Sequence, residues 1–144
     1  MFVSVTRLHV RRWWFLAPFA LHTTRSMRQV QRSPGFLGGR LAPEPLLGFW
    51  TITVWTDEEA MRQFRNSAAH LKAMPHLLDW CDESSYVHWH QDDSSVPTAA
   101  VAFERLRDGG KLSKVRYPSA AHASGKTAPG KVPNDGKLLE PASV

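Results

Sequence analysis

LGFWTITVWTDEEAMRQFRNSAAH, residues Leu47 to His70, joins one strand to one helix. The run Leu47–Trp55 is rich in β-branched and aromatic residues. Its alternation places Trp50, Ile52 and Val54 on one face and Leu47, Phe49, Thr51, Thr53 and Trp55 on the other. Neither set is polar enough to face water, so the strand is expected to be covered on both sides. Thr56-Asp57-Glu58-Glu59 reads as a helix start, with acids in the first turn where the helix dipole favours them. The helix is expected from about Asp57 to Asp79. Ala60, Phe64, Ala68, Leu71 and Leu78 form its core stripe, and Pro75 kinks or divides it.

Working outward, Phe2–Val10 alternates as a first strand. From Trp13 to Gln31 the period becomes helical, with Leu16, Phe19, Ala20, Thr23, Met27 and Val30 on one stripe. Trp14 and Leu21 lie opposite it, an outward apolar pair that suggests partner contact. Ser33-Pro34-Gly35 stops this helix, Phe36–Leu41 reads as a second strand, and Ala42-Pro43-Glu44-Pro45 as a turn. Tyr86–Gln91 is a further strand, with Val87 and Trp89 facing one way and Tyr86, His88 and His90 the other. Thr98–Leu106 reads as a short helix. After Tyr117 periodicity is lost. The expectation is a domain over residues 1–117 and a disordered tail over 118–144. The order β-α-β-β-α-β predicts an α+β, ferredoxin-like split sandwich with a four-stranded antiparallel sheet and helices on one face. A second subunit is the expected cover for the other face.

Composition narrows the function classes. Eighteen basic and thirteen acidic residues give a net charge of +5, but the charge is unevenly placed. Residues 1–32 carry six arginines and no acid, whereas residues 57–83 carry three basic and six acidic residues. With no basic run beyond Arg11-Arg12, a nucleic-acid function is not expected. The apolar run after that pair is too short to span a membrane. One cysteine, Cys81, excludes an internal disulfide and fits a cytoplasmic protein.

Pro34-Gly35-Phe36, Phe49-Trp50-Thr51-x-Thr53-x-Trp55, Asp57-Glu58-x-Ala60-Met61 and Asn66-Ser67-x-x-His70 together resemble the dimeric α/β-barrel superfamily. The resemblance, over about residues 1–91, is nearest to antibiotic-biosynthesis-monooxygenase-like proteins, with spheroidene-monooxygenase-like proteins further off. It implies a homodimer whose sheets close into a barrel, with a pocket between each sheet and its own helices. Some relatives are cofactor-free monooxygenases acting on polycyclic phenols, some are haem enzymes, and others have no shown activity.

Cofactor-free oxygenation needs a greasy pocket, a polar group to hold or deprotonate a phenol, and exclusion of water. Asn66 and His70, four residues apart on one helix, are the catalytic candidates. Trp50, Trp55, His22 and Arg25 are the substrate-binding candidates, although alternation lets at most one of the two tryptophans line a given pocket. The expected partner is a hydrophobic or aromatic small molecule, with no cofactor and no metal. The alternative is a non-catalytic binding or accessory barrel protein. A haem-dependent oxygenase is the third reading, with His22, His70 and His76 as helical ligand candidates. His88 and His90 are expected to face the dimer barrel.

Overall fold

The computed structural model describes residues 1–143, leaving aside the side chains at 68 and 69. In order, the elements are β1 (Phe2–Val10), a 3-10 turn (Trp13–Phe15), α1 (Leu16–Gln31), β2 (Phe36–Pro43), β3 (Gly48–Trp55), α2 (Glu58–Arg65), α3 (Ala68–Trp80), β4 (Cys81–His90), α4 (Ala99–Gly109), β5 (Lys111–Leu112), α5 (Ala120–Ala123) and β6 (Lys137–Leu139). The strands form one sheet in the order β5-β4-β1-β3-β2-β6, and every pairing is antiparallel. Its central four strands, β4-β1-β3-β2, are the split sandwich read from the sequence. The short strands β5 and β6 extend either edge, so the sheet has six strands rather than four.

The strand–helix junction forms as its residues dictate. Asp57, in extended conformation, accepts a hydrogen bond from the Ala60 amide at 2.8 Å, capping α2. The Thr56 amide donates to the Gly35 carbonyl at 2.8 Å, tying this junction to the α1–β2 turn. Gly35 has φ +86°, and a Cβ there would lie 2.6 Å from that of Ala60. Only glycine lets α2 sit so close.

The helix expected over 57–79 is two helices, broken at Asn66–Ser67. Ser67 is extended, and its hydroxyl donates to the Phe64 carbonyl at 2.9 Å. Gln29 of α1 holds the same hydroxyl, so tertiary contacts fix the break. Pro75 sits inside α3 without ending it. The core stripe shifts accordingly. Met61, Phe64 and Ala73 are buried and Leu71 is exposed, while the Ala68 side chain lies outside the described structure. β2 continues through Pro43, and β4 begins at Cys81 rather than Tyr86.

Both faces of β3 are covered, as its pattern demands. On one face, Trp55, Phe2 and Phe36 pack with Val30, Met61 and Phe64, while Val10 and Cys81 pack with Phe19. On the other face lie Val3, Val5, Trp50, Ile52, Val54 and Val87. Their cover is Ala99, Ala102, Phe103 and Leu106 of α4. The cover expected from a second subunit is thus supplied by the chain's own helix. Thr98 caps that helix, and Asp135 Oδ1 accepts from the Ala99 amide at 2.8 Å.

The segment read as a disordered tail also takes part in the fold. Lys137–Leu139 pairs with Gly39–Leu41, and Leu139 is buried against the aromatic cluster around Trp55. An edge strand offers unpaired amides and carbonyls, and three residues suffice to use them. So short a segment leaves no periodic signature.

Candidate functional site

The register of the strands defines, row by row, the side of the sheet that faces α1 and α2. His90, Phe2, Trp55 and Phe36 form one end row. The next two rows hold His88, Ser4, Thr53 and Gly39, then Tyr86, Thr6, Thr51 and Leu41. A hydroxyl-rich band therefore crosses the middle of the sheet between two apolar clusters. A sheet centre serving only as core would be filled by Val, Ile and Leu. His88 and His90 lie on this side, both rings within 5.2 Å of Phe2. That corrects their expected place facing a dimer barrel. Burial lowers the His88 pKa, and the cation of Arg65 adds to the effect.

Above the end row, three aromatic rings run in sequence. Trp55 lies 5.5 Å from Phe64, and Phe64 lies 5.0 Å from His70. His70 Nδ1 is 3.1 Å from the Arg65 carbonyl oxygen, which can only accept, so Nδ1 carries the proton and Nε2 is the acceptor nitrogen. Burial pushes the His70 pKa down, outweighing the hydrogen bond to Arg65, so the ring is neutral at pH 7. Trp55 is completely buried, yet its Nε1–H has no partner among the described residues. A hollow of about 210 Å³, lined by Ser33, Pro34, Ala60, Gln63, Phe64 and Ser67, adjoins this group through Phe64.

The remaining candidates are not brought here. Asn66 is exposed, because the helix break removes the four-residue spacing that would align it with His70. Trp50 is buried on the opposite face, 5.9 Å from Phe103. His22 packs at the α1–α3 seam against His76 and Trp80, with ring centroids 5.5 and 5.2 Å away. Its pKa is lowered by burial, then by His76 and Arg25. Arg25 is exposed on α1. Of the six residues, Trp55 and His70 are brought to one neighbour, Phe64, which lies between their rings.

Sequence reading missed a polar network around the buried Arg7 at the other end of the sheet. Arg7 Nε and Nη2 donate to the two Glu44 oxygens at 2.6 and 3.0 Å, and Nη1 donates to Glu83 at 2.7 Å. Trp50 Nε1 donates to Glu44 at 2.5 Å, and the Ser119 hydroxyl donates to Glu83 at 2.7 Å. His9, Asp82 and Glu83 nearby have metal-ligand chemistry. However, Asp82 is hydrogen-bonded to His9 Nδ1 at 2.6 Å, and Arg7 and Ser119 hold both Glu83 oxygens. The arrangement is an ion-pair network. Arg7 lies 37 residues from Glu44 and 76 from Glu83, too far apart for sequence spacing to link them.

An open cleft of about 500 Å³ lies between β4 and α4, with Arg105 stacked 5.0 Å over Trp89 at its wall. Its walls combine the apolar side chains of Val87, Trp89 and Val101 with His88, Glu104, Arg105 and Asp108. Cys81 is buried and its thiol pushed up to about 12, chiefly by burial, so it is inert as a nucleophile. No helix among the described residues is long and apolar enough to cross a membrane.

Solved structures share this fold. SnoaB, a cofactor-independent oxygenase from Streptomyces nogalater, is 23% identical with a TM-score of 0.54, matching 64% of this chain and 93% of its own. An antibiotic biosynthesis monooxygenase at 11% identity has a TM-score of 0.58, matching 65% of this chain and 100% of its own. Rv0793 from Mycobacterium tuberculosis, at 10% identity, has a TM-score of 0.57 and matches 65% of this chain and 97% of its own. At these identities the likeness is one of fold. Comparison with curated proteins finds no match. A family model described as a domain of unknown function, DUF3291, matches residues 15–111. Because that match runs from the turn before α1 through α4 to β5, more than half of the sequence, the chain belongs to the DUF3291 family.

Proposed function

We propose that this protein is a monooxygenase that takes a hydrophobic or aromatic small molecule at the Trp55–Phe64–His70 group and oxidises it without a bound cofactor. The observation that carries the reading is the buried, unpartnered Trp55 Nε1–H within two ring contacts of a neutral histidine. Leaving a buried donor unmade costs about 1–3 kcal/mol, and a phenolic or carbonyl oxygen of a ligand removes that cost. His70 Nε2 is suited to take the phenolic proton. The resulting electron-rich anion reacts with dioxygen. One oxygen atom becomes a new ring carbonyl in place of a ring C–H and the other leaves as water with that hydrogen and the phenolic one, so the phenol becomes a quinone and supplies all four electrons. The shared fold with a cofactor-independent oxygenase supports this reading.

The test is oxygen uptake by cofactor-free protein given a polycyclic phenol. His70→Ala is expected to lower the rate about 100-fold, whereas exposed Asn66→Ala leaves it nearly unchanged. Because the His70 pKa is lowered, the rate should hold near pH 7 and fall only below the ordinary histidine value of about 6.5. An unaltered rate in His70→Ala would remove the assigned base. The second reading, binding without catalysis, is favoured by the close apolar filling around Trp55, and binding without oxygen uptake would select it. The proposal includes a cytoplasmic homodimer. Light scattering would then give twice 16.2 kDa.

A further inference from the structure

Arg11-Arg12-Trp13-Trp14, ahead of α1, has no role in the fold or the proposed site that accounts for its exposure. Trp13 is 72% exposed and Trp14 55%, their rings edge to face at 6.0 Å. Leu21, on the same outer stripe seven residues after Trp14, is also exposed. Further along that stripe come Arg25 and Arg28, and Arg12 flanks the tryptophans, all three exposed. Scattered surface hydrophobics are ordinary, but two adjacent indoles and a leucine ringed by cations form a patch.

The base of the patch is fixed. The Arg11 guanidinium is stacked between Phe15 at 5.1 Å and Tyr117 at 4.5 Å, and its Nε donates to the Asp79 carbonyl at 3.2 Å. The indoles therefore project from an ordered turn. No acid occurs in residues 1–32, and the Asp79 carboxylate beside the turn is paired with Arg116 at 2.6 Å.

We propose that this surface docks on an anionic lipid bilayer, with Trp13, Trp14 and Leu21 entering the interface and Arg12, Arg25 and Arg28 meeting the headgroups. Charge complementarity selects this occupant. Tryptophan favours the membrane–water boundary, and clustered arginines are drawn to anionic headgroups. A second copy docking by the same patch would set like cations against each other. A nucleic acid would satisfy the arginines but leave Leu21 without a partner. Docking of this kind lays the outer face of α1 on the membrane and spans nothing.

Co-sedimentation of the full chain with unilamellar vesicles tests this. With phosphatidylcholine carrying about 30% phosphatidylserine, saturable binding is expected, weakened by about 0.5 M salt. Phosphatidylcholine alone should bind about tenfold less tightly. Trp13→Ser with Trp14→Ser should lower binding to anionic vesicles about tenfold with an unchanged melting temperature. Arg25→Glu with Arg28→Glu should lower it comparably, which guards against a fold effect of the first pair. Failure of the parent chain to sediment with anionic vesicles would overturn the proposal, as would double variants that bind like the parent. Tighter binding to an oligonucleotide through the same residues, or loss of self-association rather than of vesicle binding in the variants, would also overturn it.

Discussion

Arg7→Ala should destabilise the fold by about 3 kcal/mol, because it removes the buried cation that two part-buried carboxylates face. The Arg7 side chain is 3% exposed and that of Glu44 8%. Its fork meets Glu44 with two donors and Glu83 with a third, a geometry that lysine cannot reproduce. Arg7→Lys should therefore recover only part of the loss. Denaturant unfolding reads the effect as a lower midpoint at unchanged slope. Arg7→Met with Glu44→Gln should cost less than Arg7→Ala alone, since it removes a charge from each side. The network also sets a pH dependence. Burial alone would raise the Glu83 pKa, but hydrogen bonds from Arg7 and Ser119 and the Arg7 charge outweigh it, and the value is lowered. A carboxylate with a depressed folded pKa adds stability above its unfolded value of about 4.3. That stability is lost as pH falls through the folded value. Unfolding free energy should therefore drop between about pH 5 and the folded pKa in the parent chain, and less steeply in Arg7→Ala. An Arg7→Ala midpoint within error of the parent would mean that the network contributes nothing.

Trp50→Ala is expected to cost about 3–5 kcal/mol, by emptying the contact between the sheet and α4. Trp50 is 1% exposed, its ring lies 5.9 Å from Phe103, and its Nε1 donates to Glu44. Truncation thus opens a cavity and removes one donor to the part-buried Glu44 carboxylate. Phe103→Ala should destabilise by about 3 kcal/mol. Combined with Trp50→Ala, the loss should fall short of the sum, because the two rings share one contact. The proposed homodimer makes absolute stability fall on dilution, but the loss caused by each truncation should be the same at every protein concentration, because the cover belongs to the same chain.

What the sequence made legible was whatever depends on neighbours along the chain. Alternation separated Trp50 from Trp55 because successive strand side chains point to opposite faces, and the structure places them so. Asp57 announced α2 because capping is a three-residue device. The break at Asn66–Ser67 was hidden, since it depends on Gln29 reaching across from α1. That one break took Asn66 out of line with His70. The cover of the second face was misassigned for a related reason: α4 reads as a short helix, and nothing local says which layer it joins. Arg7, Glu44 and Glu83 read individually as surface charges, and only the β1–β4 pairing and the turn before β3 bring them together. Trp55 and His70 were both named from sequence, but their contact through Phe64 is a tertiary fact.

The most direct measurement of the central claim follows the Trp55 indole N–H by heteronuclear nuclear magnetic resonance during titration with a flat phenol such as 1-naphthol, the signal being assigned by its loss in Trp55→Phe. An unpartnered donor gains a hydrogen bond when a phenolic oxygen reaches it, so the Trp55 resonance should shift saturably, with smaller shifts at buried Trp50, and His70→Ala should weaken the response. A Trp55 resonance that stays fixed while the ligand saturates the protein elsewhere, at Trp89 beside the β4–α4 cleft or at Trp13 and Trp14, would contradict the assignment of the site to Trp55, Phe64 and His70.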